Sequence, residues 1–340
     1  MPAPSPGFEH LPNGWIILDK PLGLGSTQGV AAVKRVCREA GLGKVKVGHG
    51  GTLDPLATGV LPIALGEATK LTGRMLDGDK VYEFTIQFGA ETDTLDLEGE
   101  VVATSDVRPT LAQVEAILPR FTGPIEQVPP AYSALKVGGE RAYDLARKGE
   151  AVELAARSVT VFSLVIQSSP SLPRGGGSRA ATDGGAATSA PFTTPAARPP
   201  SPSKLGEDCV TLTAHVSKGT YIRSLARDVA LALGTVGHVT MLRRTMAGPF
   251  DLSQAISLDK LNEVGKGAPL EHILLPFEAG LDDIPALNLD PEAARAVRQG
   301  RVLTGMTQGD GLYLAREGNI PLALVELSGG NVCVVRGFNF

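Results

Sequence analysis

The chain has 340 residues, of which 43% are hydrophobic, with a formal net charge of −4 and a pI near 5.8. This length suggests two domains, or one large domain with an appendage, and the composition supports a buried core. The acidic balance excludes a uniformly basic nucleic-acid-binding protein, so a polyanionic partner would need a local basic face. Cys37, Cys209 and Cys333 lie far apart and predict neither a disulfide framework nor a CxxC metal site.

The cysteine usage and the N-terminal segment both favour a cytoplasmic protein. Three unpaired cysteines suit a reducing compartment. Residues 1–13 are rich in proline, predict a flexible terminus, and lack the charged-then-apolar layout of a signal peptide. No run of about 18 apolar residues occurs, so the sequence predicts no membrane span.

The first regular elements are a short strand and a helix. Residues 14–19 form an apolar run that predicts a buried strand. A glycine-containing loop follows, after which Ser26 or Thr27 is expected to cap a helix with a valine stripe. This helix is predicted to end near Gly41.

The stretch 44–62, KVKVGHGGTLDPLATGVLP, holds one acid, Asp54, among glycines and small residues. The following proline biases Asp54 towards an extended or turn geometry. A carboxylate on a tight loop with apolar walls is consistent with an active site. The residues alone favour the alternative, an Asx-turn in which Asp54 accepts hydrogen bonds from backbone N–H groups.

The middle of the chain alternates predicted helices and strands. Residues 67–76 predict a short helix, and residues 81–88, VYEFTIQF, predict a strand with Tyr82 and the following alternate apolar residues on one face. A polar turn region precedes a return strand at 100–104. Residues 110–121 have apolar side chains at helical spacing and predict a further helix.

Residues 127–150 differ from the preceding segments in composition. A Pro-Pro step stiffens the start of the segment, and Tyr132 and Tyr143 alternate with several cations. Lys136, Arg141 and Arg147 make the segment locally basic. Basic and aromatic side chains together suit a flap that contacts phosphates and stacks on bases. An ordinary surface helix with solvated charges is the alternative.

The second half contains an interruption and then a small unit. An alternating run at 152–167 predicts a strand, whereas residues 168–205 consist mainly of Ser, Pro, Gly, Ala, Thr and Arg and predict a disordered insertion between two strands. A strand at 209–216, a helix from Tyr221 and a strand at 236–244 follow. Residues 286–340 predict one short helix and several short strands.

These runs together resemble the TruB family, the tRNA pseudouridine-55 synthases. Six blocks occur in the order of the family and cover most of residues 14–250: 18–27, 46–70, 80–100, 128–147, 217–234 and 242–250. Two departures are visible. The insertion at 168–205 is longer than usual, and Gly50 stands where a polar residue is more common.

The resemblance implies an α+β fold. A catalytic domain over 14–285 would contain a central mixed, mostly antiparallel sheet with flanking helices, and residues 286–340 would form a small PUA-like RNA-binding domain. The implied activity is isomerisation of one uridine in the T-loop of tRNA to pseudouridine, by base flipping, glycosidic bond cleavage and re-bonding at C5. This chemistry implies no metal and no cofactor. A secondary role as a tRNA folding chaperone is compatible with it.

The resemblance also implies roles for individual residues. Asp54 matches the catalytic aspartate, Arg223 the arginine that pairs with it, and Tyr82 the active-site tyrosine. Whether Asp54 adds covalently or abstracts a sugar proton to give a glycal stays open. His49, Tyr221 and Leu242 would contact the flipped nucleotide. Lys20 is placed among the substrate-binding residues. The alternative is a structural role, in which Lys20 supports the catalytic loop.

The expected RNA surface is a single basic face, and a monomer is expected to bind tRNA through its T-arm. The cations expected on this face are Lys44, Lys46, Lys136, Arg141, Arg147, Lys148, Arg243 and Arg244. Two other functions remain open, a tRNA-binding folding factor and a subunit of a guide-RNA pseudouridylation complex. Activity of the purified chain alone would discriminate between them.

Overall fold

The computed structural model describes residues 12–133, 135–149, 154–167 and 208–340. Within these ranges the chain forms an α+β fold, with one ten-stranded sheet and one four-stranded sheet as its main layers. The predicted disorder at 168–205 and nearly all of the predicted flexible terminus lie outside the described residues.

The regular elements follow the predicted order closely. The described helices are α1 Ser26–Glu39, α2 Thr72–Asp77, α3 Leu111–Ile117, α4 Ala142–Arg147, α5 Ile222–Ala232, α6 Leu258–Gly265 and α7 Pro291–Arg298. The strands of the large sheet are β1 Gly14–Lys20, β2 Val47–His49, β3 Ala57–Leu65, β4 Lys80–Phe88, β7 Gly123–Gln127, β10 Arg157–Ile166, β11 Cys209–Val216, β12 Gly237–Ala247, β13 Phe250–Asp251 and β14 Leu275–Pro276. The remaining strands are β5 Ala90–Thr92, β6 Val101–Thr104, β8 Lys136–Val137, β9 Glu140–Arg141, β15 Ala286–Asn288, β16 Gly311–Glu317, β17 Ile320–Ser328 and β18 Asn331–Gly337.

The large sheet has the order β14-β1-β3-β12-β4-β11-β10-β7, with β2 beside β3 and β13 beside β12. Its pairs are antiparallel except for β12 and β3, which run parallel. The predicted mixed, mostly antiparallel sheet is therefore confirmed. Strands β10 and β11, which flank the predicted insertion, are antiparallel neighbours, so this insertion lies between two strands of one sheet as predicted.

Burial explains the two kinds of strand. In β1 the side chains from Trp15 to Leu18 are at most 1% exposed, because both faces of this strand are covered. Strand β4 alternates instead, and Phe84 and Ile86 are fully buried while the polar residues between them are not. This period-two pattern is typical of a strand with one face on the core.

The N-terminus of α1 differs from the prediction. Gly25, not Ser26 or Thr27, is the N-cap, and its backbone N–H donates to the Gln28 side chain at 2.7 Å. Ser26 is buried, and its hydroxyl exchanges hydrogen bonds with the backbone of Leu53 at 2.8 and 2.9 Å. The hydroxyl expected to cap the helix is thus used to hold the loop that carries Asp54.

Two predicted helices are partly 3-10 in geometry. The predicted helix at 67–76 begins as the 3-10 turn Gly66–Leu71 and continues as α2. The helix predicted at 110–121 starts at its expected cap, Thr110, but changes to a 3-10 turn at Leu118–Phe121. Pro119 removes a backbone donor there, which disfavours continuation of the α-helical ladder.

The C-terminal unit consists of β15 to β18 and α7, in the sheet order β15-β16-β17-β18. It packs on the rest of the chain, since Leu314, Leu324 and Phe338 belong to the same apolar cluster as Trp15 and Phe277. All three cysteines are free. Among the described residues, no helix has the length and apolarity needed to cross a membrane.

Candidate active site

A cleft of about 1160 Å³ opens where the two largest apolar clusters of the sheet meet. Most of the predicted site residues line it: His49, Asp54, Tyr82, Lys136, Arg141, Arg147, Tyr221, Arg223, Leu242 and Arg244. Lys20 and Arg243 do not. Within the described part of the chain, no group of three or more His, Cys, Asp or Glu side chains is arranged to hold a metal ion.

Asp54 lies in the loop between β2 and β3. Its Oδ2 is 2.8 Å from Nη2 of Arg223, and 44% of its side chain is exposed to the cleft. Its backbone carbonyl accepts a hydrogen bond from Ala57, whereas no described backbone N–H donates to its carboxylate. This geometry excludes the Asx-turn interpretation in this conformation and leaves one carboxylate oxygen free to meet a ligand.

Arg223 is in the first turn of α5, and only 7% of its side chain is exposed. Nη1 donates to the carbonyl of Thr94 at 2.8 Å, and Nη2 donates to the carbonyl of Tyr132 at 3.0 Å. Nη1 also lies 3.3 Å from Oδ2 of Asp96. The guanidinium is held from several directions, so its orientation toward Asp54 is fixed before any ligand arrives.

Asp96 is a functional candidate that the sequence reading missed. It is 7% exposed, and its Oδ1 accepts hydrogen bonds from the Thr94 hydroxyl at 2.6 Å and the Glu98 N–H at 3.0 Å. The preceding Leu95 is buried and has φ of 63°, an uncommon conformation for a bulky residue. The sequence feature that could have identified Asp96 is the Asp-x-x-Asp spacing of Asp93 and Asp96. It lies in the segment that we predicted simply as a polar turn.

Tyr82 and Leu242 form the floor of the cleft. Both side chains are partly buried and pack against each of the two apolar clusters that meet there. The register of β4 and β12 pairs Leu242 with Phe84 and Arg244 with Tyr82. These four side chains therefore share one face of the sheet, and the tyrosine ring is open to the cleft beside the Asp54 loop.

Arg244 supports the loop from below. It is 1% exposed, and its guanidinium donates to the carbonyls of Val60 at 2.8 Å, Gly51 at 3.3 Å and Thr52 at 3.4 Å. Gly59 permits the close approach of the β12 backbone to β3, because a Cβ there would lie 2.1 Å from the backbone carbonyl oxygen of Arg244. Most of the donor capacity of Arg244 is thus used within the protein.

Lys20 is fully buried below the loop. Its Nζ donates to the carbonyls of Leu24 at 2.6 Å and of Pro21 and Pro55 at 3.2 Å. Burial lowers the pKa of Lys20 to about 8, against the opposing effect of the Asp54 charge. Pro55 directly follows Asp54 in the sequence, so this contact brings Lys20 close to the acid. The buried position of Lys20 fits a role in supporting the loop and not a contact with the substrate.

His49 is half-buried at the rim of the cleft, and its Nδ1 accepts a hydrogen bond from the Gly51 N–H at 3.4 Å. Burial, followed by the charge of Arg244, lowers the pKa of His49 below its usual value. The imidazole is therefore neutral near pH 7. It can offer a ring face or a polar contact to a ligand, but not a positive charge.

Tyr221 marks the start of α5 and is held by Gln127, a residue that the sequence reading did not single out. The Tyr221 N–H donates to Gln127 Oε1 at 2.8 Å, and Gln127 Nε2 donates to the Tyr221 carbonyl at 3.1 Å. The Arg157 guanidinium lies over the Tyr221 ring at 4.9 Å. This pairing fixes the turn from which Arg223 projects.

The predicted flap consists of the β8–β9 hairpin and α4. Tyr132 and Tyr143 meet edge to face at 6.2 Å between centroids, and Arg147 lies over the Tyr143 ring at 4.3 Å. The Tyr132 hydroxyl donates to Asp93 at 3.0 Å, which raises the pKa of that phenol. Tyr132, which precedes the hairpin, thereby contacts the turn that contains Asp96, and the cations of the flap border the cleft.

The expected single basic face is not formed. Arg243 points to the sheet face opposite Leu242 and makes a two-pronged ion pair with Asp19 at 2.9 and 3.1 Å. Lys44 and Lys46 line a separate groove. Lys148 pairs with Glu140 at 2.7 Å. The cations that line the cleft are those of the flap, Arg157, and the buried Lys80, Arg223 and Arg244.

Packing explains why position 50 is a glycine and not the polar residue that we expected there. A Cβ at Gly50 would lie 2.6 Å from Cβ and 2.9 Å from Cγ of Met75. Met75 is 2% exposed and belongs to the cluster of Trp15 and Phe250. In this chain the space that a polar side chain would need is filled by the side chain of Met75, with Cβ of Pro62 at 3.7 Å.

Two family models match the sequence. The N-terminal domain of TruB family pseudouridylate synthases matches residues 38–171, and the C-terminal domain of tRNA pseudouridylate synthase B matches residues 223–282. The second match covers α5, β12 and α6 and stops before the four-stranded unit.

Curated relatives match over nearly the whole chain. Proteins named tRNA pseudouridine synthase B are 66% identical in Novosphingobium aromaticivorans and 52% identical in Zymomonas mobilis. The first match covers 96% of this chain and 97% of the relative, and the second covers 96% of each. A third relative, from Caulobacter vibrioides, is 44% identical with the same coverage of 96% on both sides.

Solved structures with the same fold are more distant in sequence. An H/ACA RNP bound to a substrate RNA containing 2′-deoxyuridine includes a chain that is 23% identical, with a TM-score of 0.64 over 96% of this chain and 85% of that chain. The archaeal box H/ACA sRNP Nop10–Cbf5 complex gives 24% identity and a TM-score of 0.64 over 97% and 87%. At this identity they establish the fold only. The relatives at 44% to 66% identity establish that this chain belongs to the TruB family of pseudouridylate synthases.

Proposed function

We propose that this chain is a stand-alone tRNA pseudouridine synthase that isomerises the uridine at position 55 in the T-loop of tRNA. The observation that carries the proposal is the ion pair of Asp54 and Arg223 at 2.8 Å, at the floor of a cleft beside Tyr82. The curated relatives named tRNA pseudouridine synthase B support the choice of substrate class.

The reaction requires a carboxylate close to the sugar of the target nucleotide. The C1′–N1 bond breaks, the uracil turns, and a C1′–C5 bond forms, while C5 loses a proton and N1 gains one. Asp54 is the acid available for this chemistry, as a nucleophile or as the base that removes a sugar proton. Arg223 keeps the carboxylate oriented, which lowers the cost of reaching the reactive geometry.

Tyr82 and Leu242 would receive the uracil. An aromatic ring and a leucine side chain provide apolar surfaces for a flat base, and the phenol hydroxyl is the group that we assign near C5. A T-loop uridine has to be extruded first, at a cost of a few kcal/mol. His49, neutral and at the rim, would contact RNA at the space left by the flipped base.

RNA binding would depend on the flap and on the phosphate backbone. Lys136, Arg141 and Arg147 border the cleft, and Tyr143 offers a ring for stacking. Affinity should fall with rising salt, because each phosphate contact releases counterions. We further assign an RNA-binding, PUA-like role to residues 286–340, a monomeric state, and a cytoplasmic location.

A tRNA folding factor is the second candidate function, and it does not exclude catalysis by the same protein. The buried support of Arg223 by two carbonyls and Asp96 favours catalysis, because unfolding an RNA needs no such preorganised acid. The fold is shared with chains of H/ACA RNP and sRNP structures. A guide-dependent activity is the third outcome to test.

The test uses the purified chain and an unmodified tRNA transcript labelled with tritium at C5 of uridine. We expect tritium release without a guide RNA or partner protein, and a single pseudouridine at position 55 on mapping. The Asp54→Ala variant should bind the transcript with unchanged affinity and release no tritium. Turnover by this variant would overturn the assignment of Asp54. Tight binding with no turnover by the unmodified chain would favour the folding-factor or guide-dependent alternatives.

A further inference from the structure

The guanidinium of Arg223 is held at four points, one of which belongs to the segment that leads into the flap. Each terminal nitrogen contacts one backbone carbonyl and one carboxylate. Nη1 donates to the Thr94 carbonyl at 2.8 Å and lies 3.3 Å from Asp96. Nη2 donates to the Tyr132 carbonyl at 3.0 Å and lies 2.8 Å from Asp54. The nitrogen that faces the acid of the cleft is therefore also the one that depends on Tyr132.

The Thr94 side of this arrangement is rigid. The Thr94 hydroxyl donates to Oδ1 of Asp96, and the Thr92 hydroxyl donates to the Asp96 carbonyl, both at 2.6 Å. All three residues are buried. Tyr132, in contrast, is only partly buried. Because a hydrogen bond is directional, whatever fixes the Tyr132 carbonyl also fixes the direction of Nη2.

The backbone around Tyr132 passes from α5 to the flap. We call residues 127–133 the flap root, because they lead from the end of β7 towards the β8–β9 hairpin. The first two residues of the flap root are bound to the start of α5. Its last residue, Ser133, is bound to the flap, since its carbonyl accepts a hydrogen bond from the Tyr143 N–H at 3.0 Å. Tyr132 thus lies where the chain leaves the helix for the flap.

The side chain of Tyr132 provides a second attachment for this part of the backbone. Its hydroxyl donates to Oδ2 of Asp93 at 3.0 Å. Asp93 is itself fixed, because its N–H donates to the Glu100 carbonyl at 3.1 Å and its Oδ1 accepts from the Glu100 N–H at 3.0 Å. A Cβ at Gly99 would overlap that Oδ1, so the turn needs a glycine there to place the acid. The phenol therefore meets an acceptor whose position is already set.

These contacts close a ring around the guanidinium. Asp93 directly precedes Thr94, whose carbonyl binds Nη1, and Tyr132 supplies the carbonyl that binds Nη2. The hydrogen bond between the phenol and Asp93 joins the two segments on the other side. Without this bond, the flap root could move away from the turn. The two carbonyls that hold Arg223 would then no longer keep a fixed separation.

We propose that Tyr132 is a positioning residue, whose hydrogen bond to Asp93 keeps its own carbonyl on Arg223 and thereby keeps the guanidinium aligned with Asp54. This proposal rests on the proposed function and adds a residue to its machinery. The phenol acts through its own backbone and needs no contact with the substrate for this role. The hydrogen bond to Asp93 raises the pKa of Tyr132 above its usual value, so the phenol stays protonated and able to donate near pH 7.

The proposal makes the flap part of the catalytic arrangement as well as of the RNA surface. Lys136, Arg141 and Arg147, which the proposed function assigns to RNA binding, follow the flap root in the chain. Any displacement of the root would shift a hydrogen-bond acceptor of Arg223. Misplacement of a catalytic group by about 1 Å can reduce turnover by about 100-fold, so the effect on the rate should be large even though the phenol is remote from the chemistry.

The test uses Tyr132→Phe in the full chain, which removes the hydroxyl but keeps the ring and its edge-to-face contact with Tyr143. Asp93→Ala removes the acceptor, and a double variant combines the two changes. The control is Ser253→Ala, which removes a hydroxyl-to-carboxylate hydrogen bond of 2.6 Å to Asp251 outside the cleft. Single-turnover rates at saturating tRNA report the chemical step, and filter binding reports Kd.

We expect Tyr132→Phe to reduce the single-turnover rate by about 10- to 100-fold with Kd unchanged. Asp93→Ala should be at least as slow. The double variant should be no slower than Asp93→Ala, because both changes remove the same bond. In an Arg223→Lys background, Tyr132→Phe should cause no further loss, since the group that it positions is gone. Ser253→Ala should match wild type in rate and in Kd.

Three results would overturn the proposal while wild type is active: a wild-type rate for Tyr132→Phe, an unchanged rate with weaker binding, or an equal loss of rate in the Arg223→Lys background. A general structural role predicts the last of these. If wild type forms no pseudouridine in tRNA, the proposed function fails, and the positioning of Arg223 is then read without catalysis. In 15N NMR spectra of the free protein, the guanidinium N–H signals that disappear in Arg223→Lys should exchange with water faster in Tyr132→Phe than in Ser253→Ala. Equal exchange in these two variants would contradict the positioning role.

Discussion

Arg223 bridges two carboxylates of different exposure, since Nη2 lies 2.8 Å from the half-exposed Asp54 and Nη1 lies 3.3 Å from the buried Asp96. The buried acid and two backbone carbonyls hold the guanidinium from behind. The acid in the cleft is thus oriented by a group that is itself fixed. Preorganisation of this kind allows a site to stabilise developing charge without reorganising during the reaction.

Replacement of Arg223 by lysine should preserve folding and remove most of the activity. An ammonium is a point charge and cannot contact Asp54, Asp96 and two carbonyls with fork geometry. We expect turnover to fall by about 100-fold or more, measured as tritium release at saturating tRNA. Arg227→Lys is the matched control, because Arg227 is on the next turn of α5 and pairs with Asp228. Near-normal turnover of the Arg223 variant would argue against the pairing as a catalytic requirement.

Tyr82→Phe should separate two roles of the ring. Tyr82 packs on both apolar clusters, and a phenylalanine of the same shape keeps that packing and the stacking surface. If the hydroxyl assists proton transfer, turnover should fall by about 100-fold or more while RNA affinity stays unchanged. Full activity of the phenylalanine variant would exclude a chemical role for the hydroxyl, and a loss of affinity would point to a binding role.

The lowered pKa of Lys20 predicts a specific pH dependence of stability. Lys20 titrates at about 8 in the folded chain and near 10.5 when unfolded, so the unfolded state binds more protons between these values. Stability relative to a Lys20→Met variant should therefore rise with pH across this window. The rise should be about 1.4 kcal/mol per pH unit, measured by urea unfolding of both proteins at several pH values.

The charge of Asp54 raises the pKa of Lys20, so Asp54→Asn should move the start of this window to lower pH. A stability difference between wild type and Lys20→Met that is constant from pH 7 to pH 10 would contradict the assigned titration. The comparison cancels other groups that titrate at high pH, provided that they are shared by the two proteins.

Gly50→Ala should destabilise the chain, whereas Gly73→Ala should not. A Cβ at position 50 would overlap the Met75 side chain, and overpacking typically costs about 1–3 kcal/mol. Gly73 is in α2 with no atom within 4 Å of a built Cβ, so alanine should stabilise it by about 0.4–1 kcal/mol. Chemical denaturation of both variants checks the difference in sign. Equal effects would show that the contact with Met75 is readily relieved.

Arg147 and Arg243 should respond differently to neutralisation. Arg147 borders the cleft and has a tyrosine ring as its nearest partner, while Arg243 is committed to Asp19 on the other face of the sheet. Arg147→Gln should weaken tRNA binding and reduce the salt slope by about one unit. Arg243→Gln should leave the salt slope unchanged in the same filter-binding measurement. A reduced salt slope for the Arg243 variant would indicate that Arg243 contacts the RNA and would contradict this prediction.

Local patterns in the sequence predicted most of the elements that form the site. The β4 alternation correctly placed Phe84 and Ile86 on a buried face, and the Asp54 loop was recognised by its glycines and its Asp-Pro step. The predicted N-cap of α1 was wrong because the Ser26 hydroxyl has two possible hydrogen-bond partners. The choice between its own helix and Leu53 depends on a contact that the sequence does not display.

The sequence by itself determined which segments become strands and helices, the family to which the chain is related, and Asp54 as the acid to consider. The tertiary structure decided what each cation does: Arg223 faces the acid, Arg244 braces the loop, Arg243 pairs with Asp19 and Lys20 holds buried carbonyls. The tertiary structure also showed that Asp96 contacts Arg223 and belongs to the site. The physical reason is that these partners come from β1, the Asp54 loop, β3, α5 and β12, which are neighbours in space although β12 and α5 are distant from the others in sequence. Propensity and periodicity report on nearby residues, whereas an ion pair is set by distance and burial.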